Sequence, residues 1–189
     1  MNAYANAANL LRKLYHTAMA ALAVSLASNF LLPGLARWIS LGLNVCIIYL
    51  MIQLKQENDH YRKAAIFYGI ALGGNLLGVG LFSLIGSICA LVAQYQEYHG
   101  HSELVSDWDP KLSGRWSGLF WFQLAATLIL SLLTGIVSGI LIVFSGMDET
   151  TMTVIATLVV AAISLILQGV YLVFLKRTIK VLESDVAVV

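Results

Sequence analysis

The sequence predicts an all-α fold, a polytopic bundle of transmembrane helices built from five hydrophobic segments. Three observations predict it. Of the 189 residues, 59% are hydrophobic and only 11% are charged, far below the quarter usual in soluble domains. No Asp, Glu, Lys or Arg occurs in 14–36, 38–54, 64–96, 116–147 or 150–175. Charge-free apolar runs of about 18 or more residues read as membrane-crossing helices, because about 20 helical residues match a bilayer's hydrocarbon thickness. The chain is expected to be one integral membrane domain over 1–189, with four or five crossings.

The first segment, 14–32, is Ala-rich and carries His16, Ser25, Ser28 and Asn29. Arg12 and Lys13 ahead of it suit a signal peptide's basic flank, but the segment is expected to stay as an anchor. Pro33-Gly34 separates it from the second, 35–54, since proline lacks the amide that would continue a helix. The polar connector KQENDHYRK follows. The third segment, 64–94, would span about 46 Å as one straight helix, so either a long helix or a break at GIALGGNLLGVG is expected. A polar linker over 95–115 leads to the fourth segment, 116–146. A tight turn at Gly146-Met147-Asp148-Glu149 leads to the fifth, 150–175.

Lys and Arg set orientation, since they are enriched on the cytoplasmic side. If all five segments cross, these residues divide five against six. If segment 1 lies in the interface, the split is eight against three; if segment 3 enters and returns, it is ten against one. Both four-crossing arrangements put the 95–115 linker and the C-terminus on the cytoplasmic side of a cell (plasma or inner) membrane. They do so because the turn between segments 4 and 5 carries only Asp148 and Glu149.

Small residues recur four apart. Gly69 and Gly73 form one row, and Gly74, Gly78, Gly86 and Ala90 a second. Thr127, Ser131, Gly135 and Gly139 form a third in segment 4. On a helix such rows share a face, where small side chains let another backbone approach closely. Helix packing is the favoured reading of these rows. The rival reading makes GGNLLGVG a helix break, with Asn75 contacting a solute as in broken-helix transporters.

Apart from His16 at the start of segment 1, the polar groups in the charge-free segments are mainly amides and hydroxyls, Asn29, Asn44, Gln53, Asn75, Gln123 and Gln168 among them. A proton relay or voltage sensor needs ionisable groups there, so ion-coupled transport is not expected. Cys46 and Cys89 read as small apolar fillers. No HExxH, CxxC or phosphate-binding glycine loop appears, and no enzyme activity is expected. The net charge of +1 and the lack of a long basic cluster argue against nucleic acid.

The linker contains Glu97, His99, His101 and Glu103. As a strand these four would share one face, in a donor set that suits zinc. Tyr95 and Tyr98 suggest instead that the helix continues to about residue 98, turning Glu97 away from His101 and dissolving the array. The stretch therefore reads as a solvated elbow without metal or cofactor. Asp109-Pro110 restarts a helix as N-cap and first helical residue. His99, His101, Asp107 and Asp109 are the expected partner surface.

The pattern His101-Ser102, Asp109, Leu112-Ser113, Trp116 and Leu119-Phe120 resembles uncharacterised small bacterial polytopic membrane proteins, and implies no activity. In size and low charge, and in small residues such as Ala23 and Ala27 four apart, the chain is also similar to substrate-binding subunits of energy-coupling-factor vitamin transporters. Its five segments and long third loop depart from that family. The sequence thus predicts a non-enzymatic subunit or accessory of a membrane assembly, contacting lipid and either its own copies or another membrane protein. A solute-binding or transport subunit is the alternative.

Overall fold

The computed structural model describes residues 3–27, 33–78, 80–145 and 149–186. Among the described residues the fold is all-helical, with six helices in chain order. They are α1 (Ala3–Ala27), α2 (Pro33–Leu54), α3 (Asp59–Leu77), α4 (Gly80–Val105), α5 (Pro110–Ser145) and α6 (Glu149–Val186). By contact the chain divides into two compact units, 1–117 with 172–189, and 118–171.

Among the described residues, three helices are long and apolar enough to cross a membrane, at Gly34–Leu54, Pro110–Val137 and Leu158–Ser184. Four or five crossings were expected, and five are not supported. Residues 14–27 of segment 1 lie in a helix that begins at Ala3 and carries Arg12 and Lys13, and 28–32 lie outside the described residues. Segment 3 is two helices, and neither is a candidate span.

The break in segment 3 corrects the favoured reading of that stretch as one packed helix. Gly78 ends α3 in the left-handed conformation, with φ 64° and ψ 9°. Glycine adopts this at no steric cost, and it is a common helix terminator. From there α4 returns against α3. Gly74 and Gly86, expected on one helix face, instead meet from opposite arms of this hairpin. A Cβ on Gly74 would lie 2.6 Å from the Phe82 carbonyl oxygen, and one on Gly86 3.1 Å from that of Ala71. Gly69, Gly73 and Gly135 have open space where a Cβ would stand. Ser131 and Gly139 lie in α5, and their surroundings are outside what the structure describes, as is the turn at 146–148.

In the larger unit the core gathers at the helix ends nearest the polar connectors. From α1 come Ala7, Leu10, Leu11 and Leu14, and from α2 Leu50, Met51 and Leu54. Helix α3 adds Tyr61, Ala64, Ala65 and Ala71, at the three- and four-residue spacing of one helical face. Leu175, Ile179 and Leu182 of α6 complete it, and Arg12 pairs with Glu183. Burying a Leu or Met side chain contributes about 1.5–3 kcal/mol, so this end holds the unit together. The smaller unit shows mostly apolar side chains on its outside, including Trp121, Leu128, Leu132, Ile136 and Leu158. Within it the Gln123 amide donates to the Leu167 carbonyl at 3.5 Å.

Candidate functional site

The ionisable residues converge in the larger unit, where the start of α3 lies along the last turns of α4. Helix α4 runs to Val105, beyond the expected end near 98. That changes the geometry of the linker. Residues four apart on a helix share a face, so Glu97 faces His101 and His99 faces Glu103. The expectation that a helix would turn Glu97 away from His101 was wrong for this reason. Two pairs result, on different sides of α4.

The inner pair is buried. His101 is fully buried and Glu97 nearly so, with Nε2 of His101 3.5 Å from a Glu97 carboxylate oxygen. The Tyr68 hydroxyl donates to the other Glu97 oxygen at 2.6 Å. Tyr61 Oη lies 2.8 Å from His101 Nδ1. Burial, with the Glu97 charge nearby, holds the Tyr61 phenol well above its usual range. A protonated Tyr61 that donates to Nδ1 leaves the imidazole proton on Nε2, facing Glu97.

Aromatic rings enclose this network. His101 lies 4.6 Å from Trp116, centroid to centroid, and Tyr98 and Phe174 meet the same indole edge-on. The Trp116 N–H donates to Thr178 at 2.9 Å, which ties α5 to α6. Gly100 lets the Tyr61 ring in, because a Cβ there would stand 3.1 Å from the ring. Tyr61, Tyr68, Gly100 and Thr178 were not singled out from the sequence. The i,i+4 spacing of Glu97 and His101 was the available signal.

The outer pair is partly exposed, and His60 from α3 joins it. His60 Nε2 is 3.3 Å from Glu103 Oε1, and His99 Nε2 is 3.9 Å from the same oxygen. The His60 and His99 rings meet edge-to-face at 4.8 Å, and Tyr95 stacks on His99. Asn58 caps α3 by accepting from the His60 amide at 2.8 Å, while its own amide donates to Glu103 Oε2 at 2.6 Å. His60 Nδ1 sits 2.6 Å from Gln96 Oε1.

The remaining expected residues disperse. The burial of His101 removes it from any partner surface, which corrects that assignment. Asp109 is the N-cap of α5, accepting from the Leu112 amide at 2.9 Å, as the Asp-Pro pair suggested. Asp107 and Asn75 are exposed, and His99 is partly so. No protein-family model, no curated protein and no solved structure matches the chain.

Proposed function

We propose that this protein is a non-enzymatic membrane subunit or accessory that works through contacts between helices in the bilayer and through polar contacts at its basic end. One observation carries the reading. The three candidate spans bury only 17, 12 and 11% of their most apolar windows inside the chain. Their apolar faces are left for lipid or for further helices, and in a bilayer small residues favour helices over lipid. Gly135 lies open on such a face, and a second copy of the chain is the partner proposed for it.

The helix break supports one orientation. With segment 3 turning back at Gly78, eight of the eleven Lys and Arg residues fall on the side of the polar connectors if α1 stays in the interface, and ten if it crosses. The positive-inside rule then puts the connectors and the C-terminus in the cytoplasm. Cysteines introduced at Ser106 and Ser184 are expected to resist an impermeant thiol reagent in intact cells, and one at Thr150 to react. The reverse pattern overturns the orientation.

The functional test is self-association of the purified chain in lipid nanodiscs, compared with Gly135→Leu. Oligomers lost in the variant, with melting unchanged, support the reading; a monomer in both cases refutes the proposed partner. The break beside exposed Asn75 favours one second reading, a solute-binding transport subunit. Saturable ligand binding abolished by Asn75→Leu would select it.

A further inference from the structure

We propose that His60, His99 and Glu103 form a binding site for a borderline-soft divalent cation of the Zn2+ class, with one coordination position left to water or an incoming ligand. This goes beyond the subunit reading and departs from the sequence expectation of no metal. That expectation centred on His99 with His101 and let His60 join only if its connector lay on the same side, and α3 packs against α4 so that His60 meets His99.

The distances fit a tetrahedral ion. Ligand bonds of about 2.0–2.1 Å place neighbouring donors about 3.3–3.4 Å apart. His60 Nε2 and Glu103 Oε1 are already 3.3 Å apart. His99 Nε2 is 3.9 Å from that oxygen, and one donor atom from each of the three residues lies within 4.8 Å of the others. Two imidazoles with one carboxylate is a donor set zinc uses when it keeps an open position. Magnesium and calcium prefer all-oxygen sites.

The surrounding groups supply a second argument. A metal-bound imidazole usually donates its other N–H to an oxygen, which fixes its tautomer. His60 has that oxygen in Gln96 Oε1, an atom that can only accept, so Nδ1 carries the proton and the Nε2 lone pair faces Glu103. Asn58 holds the second Glu103 oxygen, leaving Oε1 as a single-oxygen ligand. Tyr95 steadies His99 by stacking. Helical i,i+4 spacing sets His99 beside Glu103 on α4, and the fold adds His60 to the same oxygen from α3.

The site lies outside the candidate spans, and the Glu103 side chain is 49% exposed and that of His99 38%. An ion can therefore reach it from water. Once bound, it clamps the first turn of α3 to the last turns of α4.

The test uses the full chain in detergent, stripped with EDTA and titrated with ZnCl2 by calorimetry and elemental analysis. One zinc per chain and a raised melting temperature are expected, with MgCl2 giving neither. His99→Ala and Glu103→Gln are each expected to weaken binding at least tenfold while the metal-free protein melts as before. Gln96→Leu should weaken it about 10–100-fold through the tautomer alone. His16→Ala, outside the cluster, should bind as wild type. Cobalt(II) in place of zinc should give the intense visible absorption of a tetrahedral ion. Absence of stoichiometric zinc, unchanged affinity in the His99→Ala/Glu103→Gln double variant, or a weak six-coordinate cobalt spectrum would each overturn the proposal.

Discussion

Gly74 and Gly86 face each other across the α3–α4 hairpin so closely that the Gly86 Cα would be 3.1 Å from a Cβ on Gly74. Such close backbone approach packs the two helices through van der Waals contact. The worst overlap at Gly74 is with the backbone oxygen of Phe82 at 2.6 Å. A backbone atom cannot swing aside as a side-chain tip can. Gly74→Ala is therefore expected to lower the melting temperature in detergent by several degrees. Gly73→Ala, with nothing within 4 Å, should leave it unchanged or slightly raised. Equal tolerance at both positions would contradict the hairpin contact.

Gly78 makes a second, separable prediction. Its positive φ costs a residue with a Cβ about 1–2 kcal/mol, and a β-branched one more. Gly78→Val should loosen the turn even though nothing crowds the position. Gly78→Asn should be milder, because asparagine tolerates this conformation better than other residues. Thermal melts of the two variants side by side check this order.

How far the sequence could be read depends on which residues carried a local signal. Asp109-Pro110 announces a helix start through capping chemistry that needs no tertiary partner, and α5 begins there. The GGNLLGVG stretch offers two readings, because glycines four apart suit both a packing face and a break. Only tertiary pairing, Gly74 against Gly86, decides between them. The length of segment 3 was the better clue, since one helix of about 46 Å overshoots a bilayer.

The site was half legible for a similar reason. Glu97, His99, His101 and Glu103 stood out as a cluster, but treating them as one array hid that helical spacing divides them into two pairs. His60 could be named only as a conditional ligand, since only the return of α4 along α3 brings it to His99. Tyr61 and Thr178 gave no signal at all. An isolated tyrosine or threonine is ordinary until its partner in another helix is known.

The buried carboxylate supports a third prediction. Tyr68→Phe removes the hydroxyl that donates to Glu97 at 2.6 Å and leaves a buried charged oxygen short of a partner. Hydrogen bonds to charged groups are worth about 1.5–3 kcal/mol, so Tyr68→Phe should destabilise the larger unit by about that much. Adding Glu97→Gln to it should recover part of the loss, because an amide tolerates a missing donor better than a carboxylate does. A double variant less stable than the single one would show that Glu97 contributes through another contact.

The last prediction concerns Trp116, which the larger unit buries completely between His101, Tyr98 and Phe174. Its indole N–H donates to Thr178 Oγ1 at 2.9 Å, and that threonine is itself fully buried. Thr178→Val nearly preserves shape and removes the acceptor, so the cost isolates one hydrogen bond. An unsatisfied buried donor costs about 1–3 kcal/mol. Thr178→Ser keeps the oxygen and should lose much less, through one missing methyl. Trp116→Phe in the Thr178→Val background removes the stranded N–H and should restore part of the stability, offset by the smaller ring's poorer filling of the space. Tryptophan fluorescence gives an independent readout. The chain has four tryptophans, and the difference spectrum between wild type and Trp116→Phe should be that of a shielded indole, emitting to the blue of solvent-exposed tryptophan. A red-emitting difference spectrum, or equal stability of Thr178→Val and Thr178→Ser, would show that α5 and α6 are not joined through this pair.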